Sequence, residues 1–517
     1  ESAVAALLRK CAPGIYVTTS TELTREWYEY ERVSTVAANA FVGPQVSTYV
    51  KRLEGDLVAQ GFSGSLFMMG SNGGLLSVDR TCRQPIALVE SGPIGGCIGA
   101  SAYAEALGLK NIIAFDMGGT TAKCALVENG RFSVEGTYYV GGYVKGVPIR
   151  SPVIDIVEVG SGGGSIAWLD AQNRLHVGPE SAGSTPGPAC YGRGGAQATV
   201  TDANLVLGRI NAERFLGGEL ALDTKAASTA IDSIAGQLGF KGDSASVEMA
   251  NGVLAISTVI MGGAIKQVSV EHGFDPRDFA LFCYGGGGPL HGAALARELS
   301  IPMVIIPPEP GNFSAVGMLL ADARIDLAEV FAGVLSGDAV ADIDKVFARL
   351  EADAAASLRR EFGATDIFFE RVAEMRYVGQ RHNIRLSVTH ARNVEDMRSA
   401  FTTDYKRRYG HADPGAAVEF QMAHVSAFAR RPRPDLANLP RAQTTAAAPQ
   451  KRPVYFDAAT GAVETPVHQR SALPAGFSAD GPAVIEEYGS TTIVWPGDRF
   501  EIGELMEIRI HLRGERS

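Results

Sequence analysis

The residues best suited to chemistry follow an apolar run, in the stretch AFDMGGTTAKCALVENG at 114–130. Asp116 stands at the end of the predicted strand, where its carboxylate can hold a magnesium ion. Two glycines and two threonines come next, Gly118, Gly119, Thr120 and Thr121. The glycines permit a tight turn and the close approach of a bulky anion to backbone N–H groups, and the threonine hydroxyls can donate hydrogen bonds to phosphate oxygens. The pattern is not GxxxxGK[ST], so it predicts a phosphate held by a hairpin rather than by a helix N-terminus. A glycine hairpin with an incidental aspartate is the alternative.

A second glycine-rich stretch is of a different type. FALFCYGGGGPLHGAALAREL at 279–299 predicts a strand, a turn and a helix, and PMVIIPP at 302–308 predicts the next strand of a right-handed parallel βαβ unit. The turn consists of Gly285, Gly286, Gly287 and Gly288. N–H groups at the start of the helix favour a negative or polar ligand, although glycine needed only for packing is the alternative. Two loops of different types in one α/β core indicate a nucleotide lying between them.

Composition limits the class of protein. The chain has 517 residues and a net charge of −10, which predicts two to four domains and disfavours nucleic acid or an anionic membrane as the main partner. Six cysteines without a CxxC pair indicate reduced thiols in the cytoplasm, and the histidines lack HxxxH or HExxH spacing for a metal cage. The longest apolar run, 252–265, is shorter than the roughly 20 residues of a membrane span and favours a buried helix.

Periodicity and turn signals predict the elements around these loops. We expect two strands around a glycine turn at 65–77, a helix at 223–239 capped by Asp223, a helix at 341–362, a strand pair at 370–388 and a helix near 394–408. The glycine-dense stretch 155–200 is interrupted by Ile166, Trp168 and Tyr191, which favours packed functional loops over a flexible linker.

The same signals predict four regions. They are a core over 1–335, an α+β region over 336–429, a linker rich in Pro, Ala and Arg over 430–453, and a small β-rich domain over 454–517.

Several stretches resemble a known family. DMGGTT resembles the second phosphate loop of the actin-like ATPase superfamily, and YGGGGPLHG resembles its adenosine loop. SNGGLLS at 71–77, SGPIGG at 91–96, VGSGGGSIAW at 159–168 and ESAGSTPGPACYGRGG at 180–195 resemble the A subunits of the hydantoinase/oxoprolinase family. MRYVGQ, RRYGHADP and GPAVIEEYGSTT, which begin at 375, 407 and 481, extend this resemblance over nearly the whole chain. It implies an α/β fold with an actin-like ATPase (ribonuclease H-like) core.

The resemblance also implies an activity. Members of this family bind ATP and activate a carbonyl by phosphorylation, and a separate B-type subunit completes the reaction. A cytoplasmic hetero-oligomeric hydrolase acting on a cyclic amide, such as a hydantoin or 5-oxoproline, is therefore expected. A ketone carboxylase of the acetone or acetophenone type and a non-catalytic nucleotide-binding module are the alternatives.

Site residues carried over by this resemblance are those of the two loops. Asp116 would hold Mg²⁺ and act in catalysis with Thr120 and Thr121, Gly118 and Gly119 would hold the ATP phosphates, and the glycine turn at 285–288 would face the adenosine. The family has a further Asp-Gly-Gly loop near its start, which this chain lacks. We therefore expect an N-terminally truncated chain that holds part of the ATP site and is inactive alone.

Five further residues have both a functional and a simpler interpretation. They are Lys123, Asp155, Cys190, Asp202 and His291. The lysine could neutralise phosphate charge or be a solvated strand residue, and the cysteine could be a nucleophile but is more often a small buried residue. The aspartates could be bases or metal ligands, with turn capping favoured. The histidine could contact a ligand or pack at the helix entry.

Overall fold

The computed structural model describes residues 1–141, 146–242, 244–438 and 448–513. The chain forms two compact units, each made of segments that are not contiguous in sequence. The first unit comprises Glu1–Gly95, Val134–Ile154 and Leu320–Arg433, and the second comprises Gly96–Ser133, Asp155–Leu319 and Pro434–Ser517.

The first unit is built on a six-stranded sheet. Its strand order, given as residue ranges, is Phe67–Met69, Leu75–Ser77, Ala323–Val334, Val418–Ala429, Ile367–Tyr377 and Ile384–Ser387. Helix Gly337–Phe362 packs against this sheet and buries Ile343 and Phe347. The helix begins where the Ser336 hydroxyl accepts the N–H of Ala339, and it ends at Gly363, whose φ of 62° is a left-handed conformation that suits glycine. The elements predicted at 65–77, 341–362 and 370–388 are confirmed.

Further elements complete the first unit. Its other helices are Ser2–Cys11, Ser20–Leu23, Glu29–Ala59, Val78–Arg83, Pro85–Leu88 and Val394–Tyr409, the last of which confirms the helix predicted near 394–408. Short strands pair Val134–Glu135 with Val153–Ile154 and Tyr138–Val140 with Val147–Ile149. Helices Ser91–Ala106 and Phe313–Leu320 span the points at which the chain passes from one unit to the other.

The second unit is built on a nine-stranded sheet. Its strand order is Val157–Val159, Ala122–Glu128, Ile112–Met117, Ala280–Tyr284, Met303–Ile306, Ile508–His511, Arg499–Ile502 and Ser478–Asp480, with Arg131–Phe132 also paired to Ala122–Glu128. Strand Ala280–Tyr284 is parallel to both of its neighbours. Helix Gly288–Glu298 connects it to Met303–Ile306, which confirms the predicted βαβ unit. The strands are rich in Ile, Val and Phe because they are covered on both faces.

Smaller sheets and helices surround that sheet. Strands Ser165–Leu169 and Leu175–Ser181 form a hairpin, and Gln450–Tyr455, Ala462–Gln469, Ala483–Glu487 and Ser490–Val494 form a four-stranded sheet. The longer helices are Val200–Val206, Thr224–Gln237 and Ala245–Val268. One-turn helices lie at Ala189–Tyr191, Phe215–Gly218, Val270–His272, Pro276–Asp278, Pro310–Asn312, Leu436–Asn438 and Arg470–Ala472. Asp223 accepts the N–H of Ala226, as its predicted role as a helix cap requires.

The most apolar helix lies inside the second unit. The segment Ala245–His272 is long and apolar enough to cross a membrane by length and composition alone, but half of its most apolar window is buried within the unit. Met249, Val253, Met261 and Ile265 are among its buried residues, and its neighbours include helices Val200–Val206 and Thr224–Gln237. It is a core helix, as the apolar run at 252–265 predicts.

The C-terminal segment is arranged differently from the sequence-based expectation of a small domain at 454–517. Strand Ile508–His511 pairs with Met303–Ile306 and thereby joins the nine-stranded sheet. The pairing buries Ile508 and Ile510 in the same core as Val304 and Ile306, a long-range contact that local patterns do not encode. The boundaries predicted at 335, 429 and 453 between the four regions remain predictions. Of the predicted linker over 430–453, residues 439–447 lie outside the described residues, and strand Gln450–Tyr455 begins within its last part.

Candidate functional site

The predicted phosphate loop is a tight hairpin at one end of two core strands. Strands Ile112–Met117 and Ala122–Glu128 pair antiparallel with Asp116 opposite Lys123, and the N–H of Gly118 donates to the carbonyl of Thr121 at 3.1 Å. Gly118, Gly119 and Thr120 are exposed, and a Cβ added to either glycine would meet no atom within 4 Å. The turn therefore presents its backbone to open space, which leaves room for a bulky anion.

The second glycine loop lies directly against this hairpin. The N–H of Gly287 donates to the carbonyl of Met117 at 2.9 Å, and strand residue Tyr284 pairs with Asp116. Gly285 has a φ of +77°, and a Cβ there would lie 2.5 Å from the carbonyl oxygen of Met117 and closer still to Oδ1 of Asp116. Only glycine fits this close approach. The two loops, which were predicted to lie on either side of a nucleotide, thus meet at the Asp116 carboxylate.

A third glycine loop supports the hairpin from behind. The N–H groups of Gly163 and Gly164 donate to the carbonyls of Gly118 and Gly119 at 3.1 and 2.6 Å. A Cβ on Gly162 would lie 2.6 Å from the backbone nitrogen of Thr120. The run SGGG at 161–164 therefore positions the exposed turn. The glycine density at 155–200 signalled a packed loop here, but nothing in the local pattern indicated which loop it packs against.

The carboxylate of Asp116 is held in an unfavourable environment for a charge. Burial raises the pKa of Asp116 to about 6, and the charge of Lys123 opposes this increase. Nζ of Lys123 in turn lies 3.5 Å from Glu158, so part of its charge is neutralised. A divalent cation beside the carboxylate would favour the ionised form.

Because of this environment, we expect replacement of Asp116 to change the free energy of unfolding. The folded-state pKa of Asp116, about 6, lies above that of an unfolded aspartate, so ionisation of Asp116 destabilises the fold. This destabilisation is absent below about pH 4, grows as the pH rises and is complete above about pH 6. We expect Asp116→Asn to raise the free energy of unfolding by about 2 kcal/mol at pH 7.5 and by about 1 kcal/mol or less near pH 4.5. Urea unfolding at both pH values measures the difference. Asp480→Asn, at an exposed strand residue, is the control. An equal effect of Asp116→Asn at both pH values would contradict the expectation.

Gly286 lines a cavity and does not contact the Asp116 carboxylate. Its carbonyl accepts the Ser490 hydroxyl at 3.1 Å, and a Cβ on it would lie 3.3 Å from the carbonyl oxygen of Gly489. The cavity measures about 260 Å³ and is lined by Gly286 and Leu290 together with residues of two other segments, which include Arg214, Phe215, Glu487 and Tyr488. Sequence patterns did not assign either segment to this site, although GPAVIEEYGSTT contains Glu487 and Tyr488, because the segments are about 70 and 200 residues distant along the chain.

Three of the further candidate residues, Asp202, Cys190 and His291, have structural roles in the second unit. The Asp202 carboxylate accepts the N–H groups of Cys190 and Thr199 at 2.8 and 2.9 Å, and with Thr199 it forms a capping box, which confirms the capping interpretation. The Cys190 thiol is buried, and burial raises its pKa far above the ordinary range for a thiol. His291 is also buried, and burial lowers its pKa to about 3. A neutral histidine is therefore packed at the helix entry.

Two others lie close to other ionisable side chains. Lys123 contacts Glu158 as described, and Asp155 lies 3.6 Å from His272. Within the described ranges, no group of three or more His, Cys, Asp or Glu side chains is arranged to hold a metal ion. A metal at Asp116 would thus take its remaining ligands from water or from a bound phosphate.

Comparison with known proteins gives consistent matches along the chain. Residues 32–327 match the hydantoinase/oxoprolinase family, and residues 335–512 match the hydantoinase/oxoprolinase C-terminal domain. Caprolactamase subunit alpha of Pseudomonas jessenii is 33% identical over 97% of this chain and 73% of its own length. Acetophenone carboxylase gamma subunit of Aromatoleum aromaticum is 31% identical over 92% of this chain and 66% of its own length.

Solved structures have the same mixed α/β fold. The crystal structure of ATP-dependent caprolactamase from Pseudomonas jessenii has a TM-score of 0.89 and 31% identity, over 99% of this chain and 74% of that chain. The nucleotide-free structure of acetone carboxylase has a TM-score of 0.72 over 98% of this chain and 72% of that chain, at 24% identity, and this likeness concerns the fold alone.

Proposed function

Because this chain belongs to the hydantoinase/oxoprolinase family, we propose that it is an ATP-dependent hydrolase subunit that phosphorylates the carbonyl of a cyclic amide. The observation that carries the proposal is the meeting of two glycine loops at the partly buried Asp116, beside an exposed and open turn. The relative from Pseudomonas jessenii is an ATP-dependent caprolactamase, which favours a lactam, hydantoin or 5-oxoproline ring as substrate.

The described residues fit ATP and Mg²⁺. The open space above Gly118 and Gly119 accommodates phosphates, and a carboxylate with a raised pKa is suited to a divalent cation. The cavity lined by Gly286 and Leu290 would take the adenosine end. A hairpin and a βαβ unit on one sheet support an actin-like ATPase core as the finer description of this fold.

Each residue has a defined task in this proposal. Asp116 holds the magnesium ion, directly or through water. The N–H group of Gly119 and the hydroxyls of Thr120 and Thr121 donate to phosphate oxygens and orient the terminal phosphate, while Gly118, whose N–H closes the turn onto Thr121, leaves room for it. ATP supplies the phosphoryl group that turns the amide oxygen into a leaving group. The protein's contribution is therefore positioning and charge stabilisation.

A B-type partner subunit completes ring opening in this proposal. The relatives are named as the alpha subunit of caprolactamase and the gamma subunit of acetophenone carboxylase, which supports action within a hetero-oligomer. We further propose that the complex is cytoplasmic.

A second candidate function shares the ATP step. The similarity to the acetophenone carboxylase gamma subunit, at 31% identity, favours a ketone carboxylase subunit. In that case the phosphorylated oxygen belongs to an enolate, and carbon–carbon bond formation with a carbonate-derived carboxyl group follows. A nucleotide-binding module without catalysis is the third candidate, from a different functional class.

One assay separates the three candidates. The full-length gene product, purified with its B-type subunit, is tested for ATP hydrolysis with hydantoins, 5-oxoproline, lactams and aryl ketones, with and without bicarbonate. We expect a cyclic amide to stimulate ATP hydrolysis without bicarbonate, because phosphorylation of the amide oxygen consumes ATP. Stimulation only by a ketone with bicarbonate would identify the carboxylase. An absence of ATP hydrolysis with every substrate would favour the non-catalytic module.

A further inference from the structure

The first unit contains a polar cavity that the nucleotide proposal does not use. The cavity measures about 550 Å³, and six arginines and four carboxylates are among its lining residues. It is formed by side chains from the N-terminal segment, from residues near 150 and from the six-stranded sheet. An excess of cationic groups in a concave site attracts anions.

Some of these arginines already have carboxylate partners. Arg80 donates two hydrogen bonds to Glu361, at 2.9 and 2.7 Å, and Arg83 lies 2.6 Å from Asp79. The charge-assisted bonds of Arg80 join helix Val78–Arg83 to helix Gly337–Phe362, and the Arg83–Asp79 pair lies within the former helix. Because their charges are already paired, Arg80 and Arg83 are not candidates for binding a ligand.

Arg385 differs from these arginines, because the carboxylate of Glu374 near it already has two other hydrogen-bond partners. Oε1 of Glu374 lies 3.0 Å from Nε2 of His424, and Oε2 accepts the Asn383 amide at 3.1 Å. Burial opposes ionisation of Glu374, but the hydrogen bond from His424 holds its pKa at about 2, so the carboxylate is charged and shared. Among the described residues, Nη1 of Arg385 is buried without a hydrogen-bond partner. Leaving such a donor unsatisfied is unfavourable for the fold.

Arg150 lies near Arg385 and also has a buried nitrogen without a hydrogen-bond partner among the described residues. Its side chain is 10% exposed and lies 3.0 Å from Glu26, yet its Nε is buried and has no hydrogen-bond partner within the described part of the chain. A Cβ on Gly136 would lie 2.6 Å from Nη1 of Arg385 and 3.7 Å from Nη1 of Arg150. The two guanidinium groups thus approach the backbone of the same residue, and one carboxylate lies near each of them, Glu26 beside Arg150 and Glu374 near Arg385.

We propose that this cavity binds a small organic or inorganic anion through Arg150 and Arg385, by way of a carboxylate or phosphate group. The planar guanidinium fork matches both groups, and glycine at 136 allows the Arg385 guanidinium to lie where a Cβ would otherwise be. His424, which lines the same cavity, is a third polar group next to the anion. This site is independent of the nucleotide proposal, since its residues belong to the first unit and the glycine loops to the second.

Calorimetric titration of the full-length protein with acetate, glutarate and inorganic phosphate tests the proposal. We expect at least one probe to bind, and Arg385→Gln to weaken that binding by about 10- to 100-fold, as for loss of a charged hydrogen bond. Arg381→Gln is the matched control, because Arg381 is exposed on the turn before the same strand and carries the same charge. Binding of the carboxylates alone would indicate a carboxylate ligand, and binding of phosphate alone a phosphorylated one.

Three results would overturn the proposal. They are no binding tighter than about 10 mM for any probe, an equal effect of the two substitutions, and full binding by a folded Arg385→Gln. If that variant does not fold, Arg385→Lys keeps the charge, removes the fork and is expected to weaken binding in the same direction. ATP binding, measured in the same variants, is expected to stay unchanged. Failure of the nucleotide proposal would thus be seen separately, and phosphate bound at the glycine loops would be insensitive to Arg385.

Discussion

Asp116→Ala is expected to lower the rate of substrate-stimulated ATP hydrolysis by about 100-fold or more, the scale on which loss of one preorganised electrostatic group acts. The carboxylate lies where the two glycine loops meet, and burial raises its pKa, so the site holds a costly charge that a magnesium ion would stabilise. The measurement is steady-state phosphate release by the full-length protein with its B-type subunit, at saturating magnesium.

Glu158→Gln is the control for this prediction. Glu158 pairs with Lys123 on the neighbouring strand, and its side chain is 40% exposed, so the substitution removes one negative charge from the same sheet without touching the turn. We expect less than about a twofold change in rate, because exposed ion pairs contribute little. ATP hydrolysis that survives Asp116→Ala at the level of the control would contradict a metal-binding role for Asp116.

Gly285→Ala is expected to weaken the binding of ATP. A methyl group there meets Oδ1 of Asp116 and the carbonyl oxygen of Met117, and the φ of +77° is strained for alanine. The carboxylate and the start of the second loop must move apart. We expect the dissociation constant for ATP to rise by about 10- to 100-fold, corresponding to about 1.4–2.8 kcal/mol, as measured by calorimetry.

The matched control for this substitution is Gly239→Ala. Gly239 has a φ of +82°, but a Cβ there would meet nothing within 4 Å. Both substitutions therefore share the backbone strain, about 1–2 kcal/mol, and only Gly285→Ala adds the collision. If the two variants lowered ATP affinity equally, the contact between the loops would have no part in binding.

Much of the local structure could be predicted from sequence. The hairpin around Asp116, the βαβ unit around the glycine turn at 285–288 and the helix capped by Asp223 all follow from side-chain periodicity and from turn and cap residues. Such features depend on hydrogen bonds between residues a few positions apart, so a short stretch of sequence contains the information. The family also follows from motifs distributed along the chain.

Contacts between distant segments could not be predicted in this way. Local patterns contain no information about the pairing of strand Ile508–His511 with Met303–Ile306, nor about the support of the hairpin by the loop at 162–164. Each of these depends on which surfaces pack together and in which register once the whole chain folds.

The sequence by itself therefore determined the residue types able to hold a phosphate and a metal, the strands and turns that carry them, and the family. Only the tertiary structure decided that Gly285 and Gly287 lie against Asp116 and Met117, and that Arg150 and Arg385 meet beside Gly136. The physical reason is chain separation. Those pairs are far apart in sequence, and packing of complete elements, rather than local propensity, brings them within reach of one another.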